Sequence, residues 1–550
     1  MHVPAVHIRR LPQVSAAVTA LAVAAWVLAG SPSPSSSPPH PADRSRETLA
    51  SGEHPRFGQH AHAADPPATA AAPALIASPA PRGTPVSIAI GTRPRGAAIP
   101  ADFLGLSFEM RSLPLIASWA HRGDLVALLR SLGPGVMRFG GISADEQTAW
   151  VPAGAAKPGW AIATVDEADL ANLAALARAS GWRVLLTVNL AHFEKAAAAQ
   201  EAAVAHAQLG PYLAGIEVGN EPDLFPRKHL RPPGYGVSGY LPQAAAYIAA
   251  IQAAAPGVPI AGPDPSTGVH GLTWVRDAAA TLHPQLLTDH YYPLSSCGEH
   301  PTVSELLSPT VRLHESEMLA EMLAVARAHR TPLRMDETNN ISCEGQPGVS
   351  NSFASALWAL DWIARGMTAG TVGVNFHDLI EKPTSYAALA AHGTRALAAG
   401  ELRAAPEWYA LLAAHALAGH GGARPLPLTL SGTAPGELSA YALRSPGGTI
   451  RLALIDYDAP GSPPLAVSLG ASRGLRGGAI LRLTGPSPAA TQGTRLGGRT
   501  VSAGGTWAPA SALPAVHGRP GALSLQLSPG SAAVVTLPPQ RRRARAALPG

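Results

Sequence analysis

Between residues 100 and 415 the chain alternates short apolar runs with stretches in which apolar residues recur every three or four positions. That is the pattern of strands buried on both faces and separated by helices packed over them. The runs 103–108, 135–139, 183–189, 213–219, 259–263, 286–292, 333–337 and 371–377 predict eight strands, and the helical patterns fall at 124–133, 165–181, 241–257, 305–329 and 352–367. Several of these helices close on Gly, which takes the left-handed conformation that ends a helix at little steric cost. Eight βα units in about 315 residues predict a (β/α)8 TIM barrel. The rival is an open doubly wound sheet, but the G-x-G-x-x-G turn of its nucleotide-binding form is missing.

After a helical segment at 405–419 the period changes from three or four to two. Alternating runs at 437–458, 478–485 and 522–538, with the turn sequence SPGG at 445–448, predict a C-terminal β-sandwich over 420–540. TPVSIAIGT at 84–92 alternates in the same way, so 84–99 is read as a strand segment joining that sandwich, and 100–419 as the catalytic barrel.

The ends of the chain have a different texture. Arg9 and Arg10 lead into the apolar run 16–30, whose length of about 15 residues suits a signal peptide over 1–30 better than a membrane span, although an uncleaved anchor stays open. Residues 31–83 are rich in Pro, Ala and Ser with few large apolar residues, and they read as a disordered linker. The last segment, 541–550, reads as a basic disordered tail. These margins also explain the charge. Residues 1–85 carry six Arg against four acids and the tail adds four Arg, so of the total +5 the body from 86 to 540 retains 5 − 6 = −1. A body of that charge argues against a nucleic-acid partner, which calls for clustered Lys and Arg on folded elements. No later segment is long and apolar enough to suggest a membrane in the mature form, so the expected location is secreted or periplasmic.

Candidate chemistry follows from the barrel, because barrel enzymes place it where strands end. Glu221 closes predicted strand four and Glu337 closes predicted strand seven, so the two face each other across the mouth. Two such carboxyls suit glycoside hydrolysis: one protonates the leaving oxygen, and the other attacks the anomeric carbon or activates water. Glu109 and Asp145, after strands one and two, are candidates for gripping sugar hydroxyls; His290 and His377 end strands six and eight and face the site. Arg138 is expected to pair with a barrel carboxylate, and Asn189 and His192 follow strand three. Cys297 and Cys343 lie six residues past Tyr291 and Glu337 on neighbouring loops, and they predict a disulfide in an oxidising compartment; two free thiols are the alternative. HExxH, zinc-spaced Cys and His, and G-x-S-x-G are absent, so no metal is predicted.

GNEPD (219–223) and DETNN (336–340) look like the two active-site motifs of the clan of retaining barrel glycosidases. Together with FLGLSFE (103–109), MRFGGISAD (137–145), GPDPS (262–266), DHYYP (289–293) and the run 336–362, they make the chain, over about 100–540, resemble glycoside hydrolase family 79. That family holds heparanases and β-glucuronidases. The resemblance implies Glu221 as acid/base, Glu337 as nucleophile, Asn220 on the sugar 2-hydroxyl, and a Tyr after strand six supporting the nucleophile. Tyr291 and Tyr292 both qualify for that last role, with Tyr291 favoured. It further implies that the strand-eight loop, where Tyr386 follows Ser385 in place of the usual Gly, meets a uronate carboxylate; Lys382 offers a positive charge there, while Asp378 and Glu381 count against it. The expected activity is a secreted retaining exo-β-glucuronidase acting on a glucuronide or uronate-containing glycan, with no cofactor implied. The alternatives are an endo-β-glucuronidase, a neutral-sugar β-glycosidase of the same clan, or an inactive carbohydrate-binding barrel.

Overall fold

The computed structural model describes residues 83–266, 269–432, 437–470, 477–519 and 522–539; the predicted signal peptide, nearly all of the linker and the basic tail lie outside them. Eight parallel strands close into a barrel: strand one Leu104–Glu109, two Val136–Gly140, three Arg183–Val188, four Leu213–Val218, five Ile260–Gly262, six Leu286–Tyr291, seven Leu333–Thr338 and eight Gly373–His377. The order runs round the ring in sequence, with strand eight pairing strand one (Val374 to Leu104), so strand four stands opposite strand eight. The predicted barrel is the observed one. Its strands are almost wholly buried, as strands covered by helices outside and side chains inside must be.

The helix Phe353–Ala369 explains how barrel and sandwich hold together. Nearly every residue of it is buried, including Phe353, Leu357, Trp358, Trp362 and Ile363, which is the pattern of a helix covered on all sides. Its first N–H groups, which have no partner within a helix, donate instead to the carbonyls of Ala490 and Pro488 in the sandwich domain, at 2.8 and 2.7 Å. The sandwich packs two layers around Val86, Ile88, Leu452, Leu454, Val467, Leu469, Leu525 and Val535. Thr84–Ile90 is an inner part of it, parallel to Leu465–Gly470 on one side and antiparallel to Leu428–Gly432 on the other. Val86, Ile88 and Ile90 point into the core while Pro85, Ser87 and Ala89 point out.

Cys297 and Cys343 form a disulfide with Cα atoms 5.6 Å apart. It ties the loops after strands six and seven beside the short parallel pairing of Leu294–Ser295 with Ile341–Ser342. No helix of the described residues is long and apolar enough to cross a membrane.

Candidate active site

Charged and aromatic side chains from every barrel strand except three converge at the C-terminal mouth. Arg138 on strand two is the hub. It is fully buried. Its Nε donates to Glu217 Oε2 at 3.0 Å and lies 3.1 Å from Asp336 Oδ2; Nη1 donates to Glu337 Oε2 at 2.6 Å; Nη2 donates to Asn220 Oδ1 at 2.9 Å and lies 3.5 Å from Asp264 Oδ2. An arginine held this way stays charged and has its fork of donors fully used.

Two consecutive strand-seven residues, Asp336 and Glu337, reach this hub, although neighbours on a regular strand face opposite ways. The pairing register of strand seven shifts between Met335 and the residues after it, on both sides, and that irregularity turns both carboxylates inward. Asp336, Glu217 and Asp264 were not singled out in the sequence. The available signal was an acid inside an apolar strand, as in the IEV of 216–218. Burial pushes the carboxyls of Glu217 and, more strongly, Asp264 up, and the neighbouring acids add to it, while Arg138 pulls both the other way. Hydroxyls of Thr187 and Thr288 donate to these two residues.

Glu337 behaves in the opposite way. Burial favours its neutral acid, but His377, His290 and Arg138 together with the Tyr292 hydroxyl outweigh that and hold it well below the usual carboxylate range. It is therefore an anion with little exposed surface, as a nucleophile requires. His290 lies between the carboxylates: Nδ1 is 3.3 Å from Glu221 Oε1 and 3.8 Å from Glu337 Oε1, and Nε2 is 3.6 Å from Asp336 Oδ2. Burial disfavours its charge, but Glu337 and Asp336 raise its pKa well above the ordinary histidine range. One ligand atom each from Glu221, His290 and Glu337 lie within 4.8 Å of one another, as do atoms of Asp264, His290 and Asp336, so among the described residues these are the groups that could hold a metal ion. Both include His290, and an ion there would have to displace its proton.

Glu221 sits just past strand four with φ +47°, a left-handed conformation costing a non-glycine residue about 1–2 kcal/mol. Its N–H donates to the Asp264 carbonyl at 2.9 Å, which fixes the turn, and Lys228 Nζ lies 3.6 Å from its Oε2. Asn220 presents its amide in a defined sense: Oδ1 accepts from Arg138, and buried Nδ2 has no partner among the described residues, leaving that N–H2 group to donate.

Two expectations are corrected by geometry. Tyr292, not Tyr291, meets Glu337: its hydroxyl donates to Oε1 at 2.9 Å, while the Tyr291 ring stacks on Trp362 beneath the helix layer, centroids 4.7 Å apart. Asp145 does not face a sugar. Its Oδ1 accepts from the N–H groups of Leu190 and Ala191 and its Oδ2 from Asn220 N at 2.6 Å, so it is a buried clamp that positions the loops after strands three and four. Asn189 likewise donates to the carbonyls of Ala144 and Asp145, and His192 stacks on Trp160.

Glu109 and His377 do meet at the mouth. His377 Nε2 is 3.6 Å from Glu109 Oε1 and its Nδ1 is 3.7 Å from Glu337 Oε2, while Glu109 Oε2 accepts from Ser143 N at 2.8 Å. Tyr386 is buried with its ring 5.8 Å from that of Tyr292 and 5.9 Å from that of His377. Lys382 and Ser385 turn elsewhere: the Lys382 ammonium pairs with the Glu344 carboxylate and the Ser385 hydroxyl donates to the Glu344 carbonyl, which staples this loop to the disulfide-bearing one.

The tyrosine assignment is testable. A hydrogen bond to a charged group is worth about 1.5–3 kcal/mol, so Tyr292→Phe should lower kcat about 10- to 100-fold and Tyr291→Phe should leave it near wild type. Equal losses in the two variants would contradict the assignment.

No family model and no curated protein matches the sequence. Similar solved structures do exist. A 4-O-α-L-rhamnosyl-β-D-glucuronidase from Fusarium oxysporum 12S aligns at TM-score 0.68 and 20% identity, covering 82% of this chain and 100% of its own. A GH51 arabinofuranosidase from Xanthomonas axonopodis pv. citri aligns at TM-score 0.61 and 14% identity, covering 82% and 100%. A bacterial orthologue of human α-L-iduronidase aligns at TM-score 0.58 and 13% identity, covering 83% and 84%. At these identities the likeness is one of fold, and the chain shares its barrel architecture with solved structures of glycoside hydrolases.

Proposed function

We propose that the protein is a secreted, retaining exo-β-glucuronidase of the family 79 type. The observation that carries this reading is the pair Glu221 and Glu337, which rise from opposite parts of the barrel mouth and bring oxygen atoms within 4.8 Å of each other around His290. Retaining glycosidases keep their two carboxyls roughly 5–5.5 Å apart, whereas inverting ones leave room for a water between them. In the first step the Glu337 anion attacks the anomeric carbon while Glu221 protonates the departing oxygen. In the second, Glu221 takes a proton from water, which releases the sugar from the covalent Glu337 ester. Arg138, Tyr292 and His377 hold the attacking carboxylate in place, and the free Nδ2 of Asn220 is set to donate to the sugar 2-hydroxyl.

The uronate part of the reading rests on Tyr386, whose buried ring lies against Tyr292 and His377 where a glycone carboxylate would come to rest. Two of the similar structures, by their names, are a glucuronidase and an iduronidase orthologue. Lys382 takes no part, since Glu344 engages it. A neutral-sugar activity is the second reading, and the loss of that cation favours it. Aryl β-glucuronide, β-glucoside and β-xyloside compared on one preparation separate the two. Cleavage of the glucuronide alone, with the β-anomer as the first product, is expected; preference for a neutral glycoside would keep the mechanism and remove the uronate.

A further inference from the structure

At the foot of the barrel, where its strands begin, sits a second buried guanidinium, that of Arg334 on strand seven. Its Nε donates to Asn375 Oδ1 at 2.6 Å, and Nη1 and Nη2 donate to the carbonyls of Asp102 and Phe103, each at 3.2 Å. All three acceptors are neutral. The group is nevertheless built in: Asn375 turns its oxygen to Arg334 because its Nδ2 donates to the carbonyls of Leu106 and Val136, and a Cβ on Gly373 of strand eight would overlap Nη1. Arg138 touches four carboxyls, whereas the acid nearest Arg334, Asp102, directs its carboxylate to Arg183 at 3.4 Å. Burial accordingly brings the Arg334 pKa down to about 10, against the pull of Asp102 and Asp336. Buried charges are normally paired, so a cation held this way is short of an anion.

Arg334 lines a cavity of about 270 Å³. Asp102 is the one acid in its lining, and with Arg183 and Arg334 it leaves one positive charge uncompensated there. Two of the five N–H groups of Arg334, one on each Nη, have no acceptor among the described residues, and a carboxylate takes two such bonds at once. The other walls are mostly aliphatic, from Val136, Leu185, Leu286, Pro332 and Val372. A dianion such as phosphate would bring one charge too many and lose its water to walls that cannot replace it. The volume lies just under the usual range of small-molecule sites, roughly 300–1,000 Å³, which limits the ligand to a few carbons. We propose that the foot of the barrel binds a small aliphatic monocarboxylate, its oxygens on Arg334 and its hydrocarbon chain along the aliphatic walls. This site is at the opposite end of the strands from Glu337 and does not depend on the glycosidase reading.

The test is titration calorimetry with hexanoate, hexanol and inorganic phosphate at one ionic strength. Wild type should take up one hexanoate per chain, more tightly than the other two, and its thermal midpoint should rise with hexanoate concentration. Two isosteric substitutions change the charge of the cavity in opposite senses. Asp102→Asn removes its acid and should tighten hexanoate binding about fivefold; Gln285→Glu adds one, keeps the acceptor for Ile260 N, and should weaken binding by about as much. Both positions are remote from the mouth, so a carboxylate held beside Glu337 would respond to neither. Hexanol binding as tightly as hexanoate, phosphate binding more tightly, no saturable uptake of hexanoate, or one hexanoate affinity shared by all three proteins overturns the site. Hydrolysis of aryl glycosides decides the glycosidase reading separately, whichever way the titrations fall.

Discussion

Glu337→Gln is expected to abolish hydrolysis, lowering kcat by about 10⁴-fold or more, the scale on which loss of a covalent nucleophile acts. The side chain keeps its volume and stays within reach of Arg138 and Tyr292, so the protein should fold and still bind substrate; only the anion is gone. Glu221→Ala should behave differently. It removes the proton donor, so its first step should suffer least with leaving groups acidic enough to depart unaided. Steady-state rates on a series of aryl glycosides graded by leaving-group acidity distinguish the two. If Glu337→Gln retained more than about a hundredth of wild-type kcat, the nucleophile assignment would be lost, and if Glu221→Ala showed no dependence on leaving group, so would the acid/base.

Arg138→Met is expected to destabilise the protein by about 3–5 kcal/mol at pH 7, because breaking a buried ion pair from one side leaves charge uncompensated in the interior. Here one guanidinium touches four carboxyl groups, those of Glu217, Asp264, Asp336 and Glu337. The sign of the pH dependence follows. Arg138 favours the ionised forms of Glu217, Asp264 and Glu337, so its removal raises their folded-state pKa values, and the folded variant binds protons at a higher pH than wild type does. Its deficit should therefore shrink as pH falls from 7 towards 5. Urea midpoints at both pH values measure this. An unchanged midpoint at pH 7 would contradict the role of hub, and a deficit that grew on acidification would contradict the electrostatic cause.

The barrel was legible because each of its strands is a short apolar run, and a strand buried on both faces has no other signature. Glu221 and Glu337 were legible as a pair: a single carboxylate after a strand can be a cap or a loop charge, as Asp145 is a clamp, but two at strand ends facing each other across one mouth point to a common site. The tyrosine was misread although the information was present. His290 and Tyr292 are two residues apart where strand six ends and share a side, so a site that includes His290 includes Tyr292, with Tyr291 under the helices. Asp336 escaped because the same alternation, applied correctly, turns it away from Glu337, and only the register shift in strand seven restores it. Asp145 was misplaced because the chain after Gly141 turns into a short helix, Ile142–Glu146, which carries the side chain down to the backbone of neighbouring loops.

The strand Thr84–Ile90 has a consequence for biosynthesis. It is made early, yet its partners are Leu428–Gly432 and Leu465–Gly470, the nearer of which begins 338 positions after Ile90. Until the ribosome has passed that point, the strand offers Val86, Ile88 and Ile90 with nothing to cover them, and the sandwich cannot close from either end alone. The sandwich therefore closes late in synthesis, after the barrel that lies between its strands in sequence has been made.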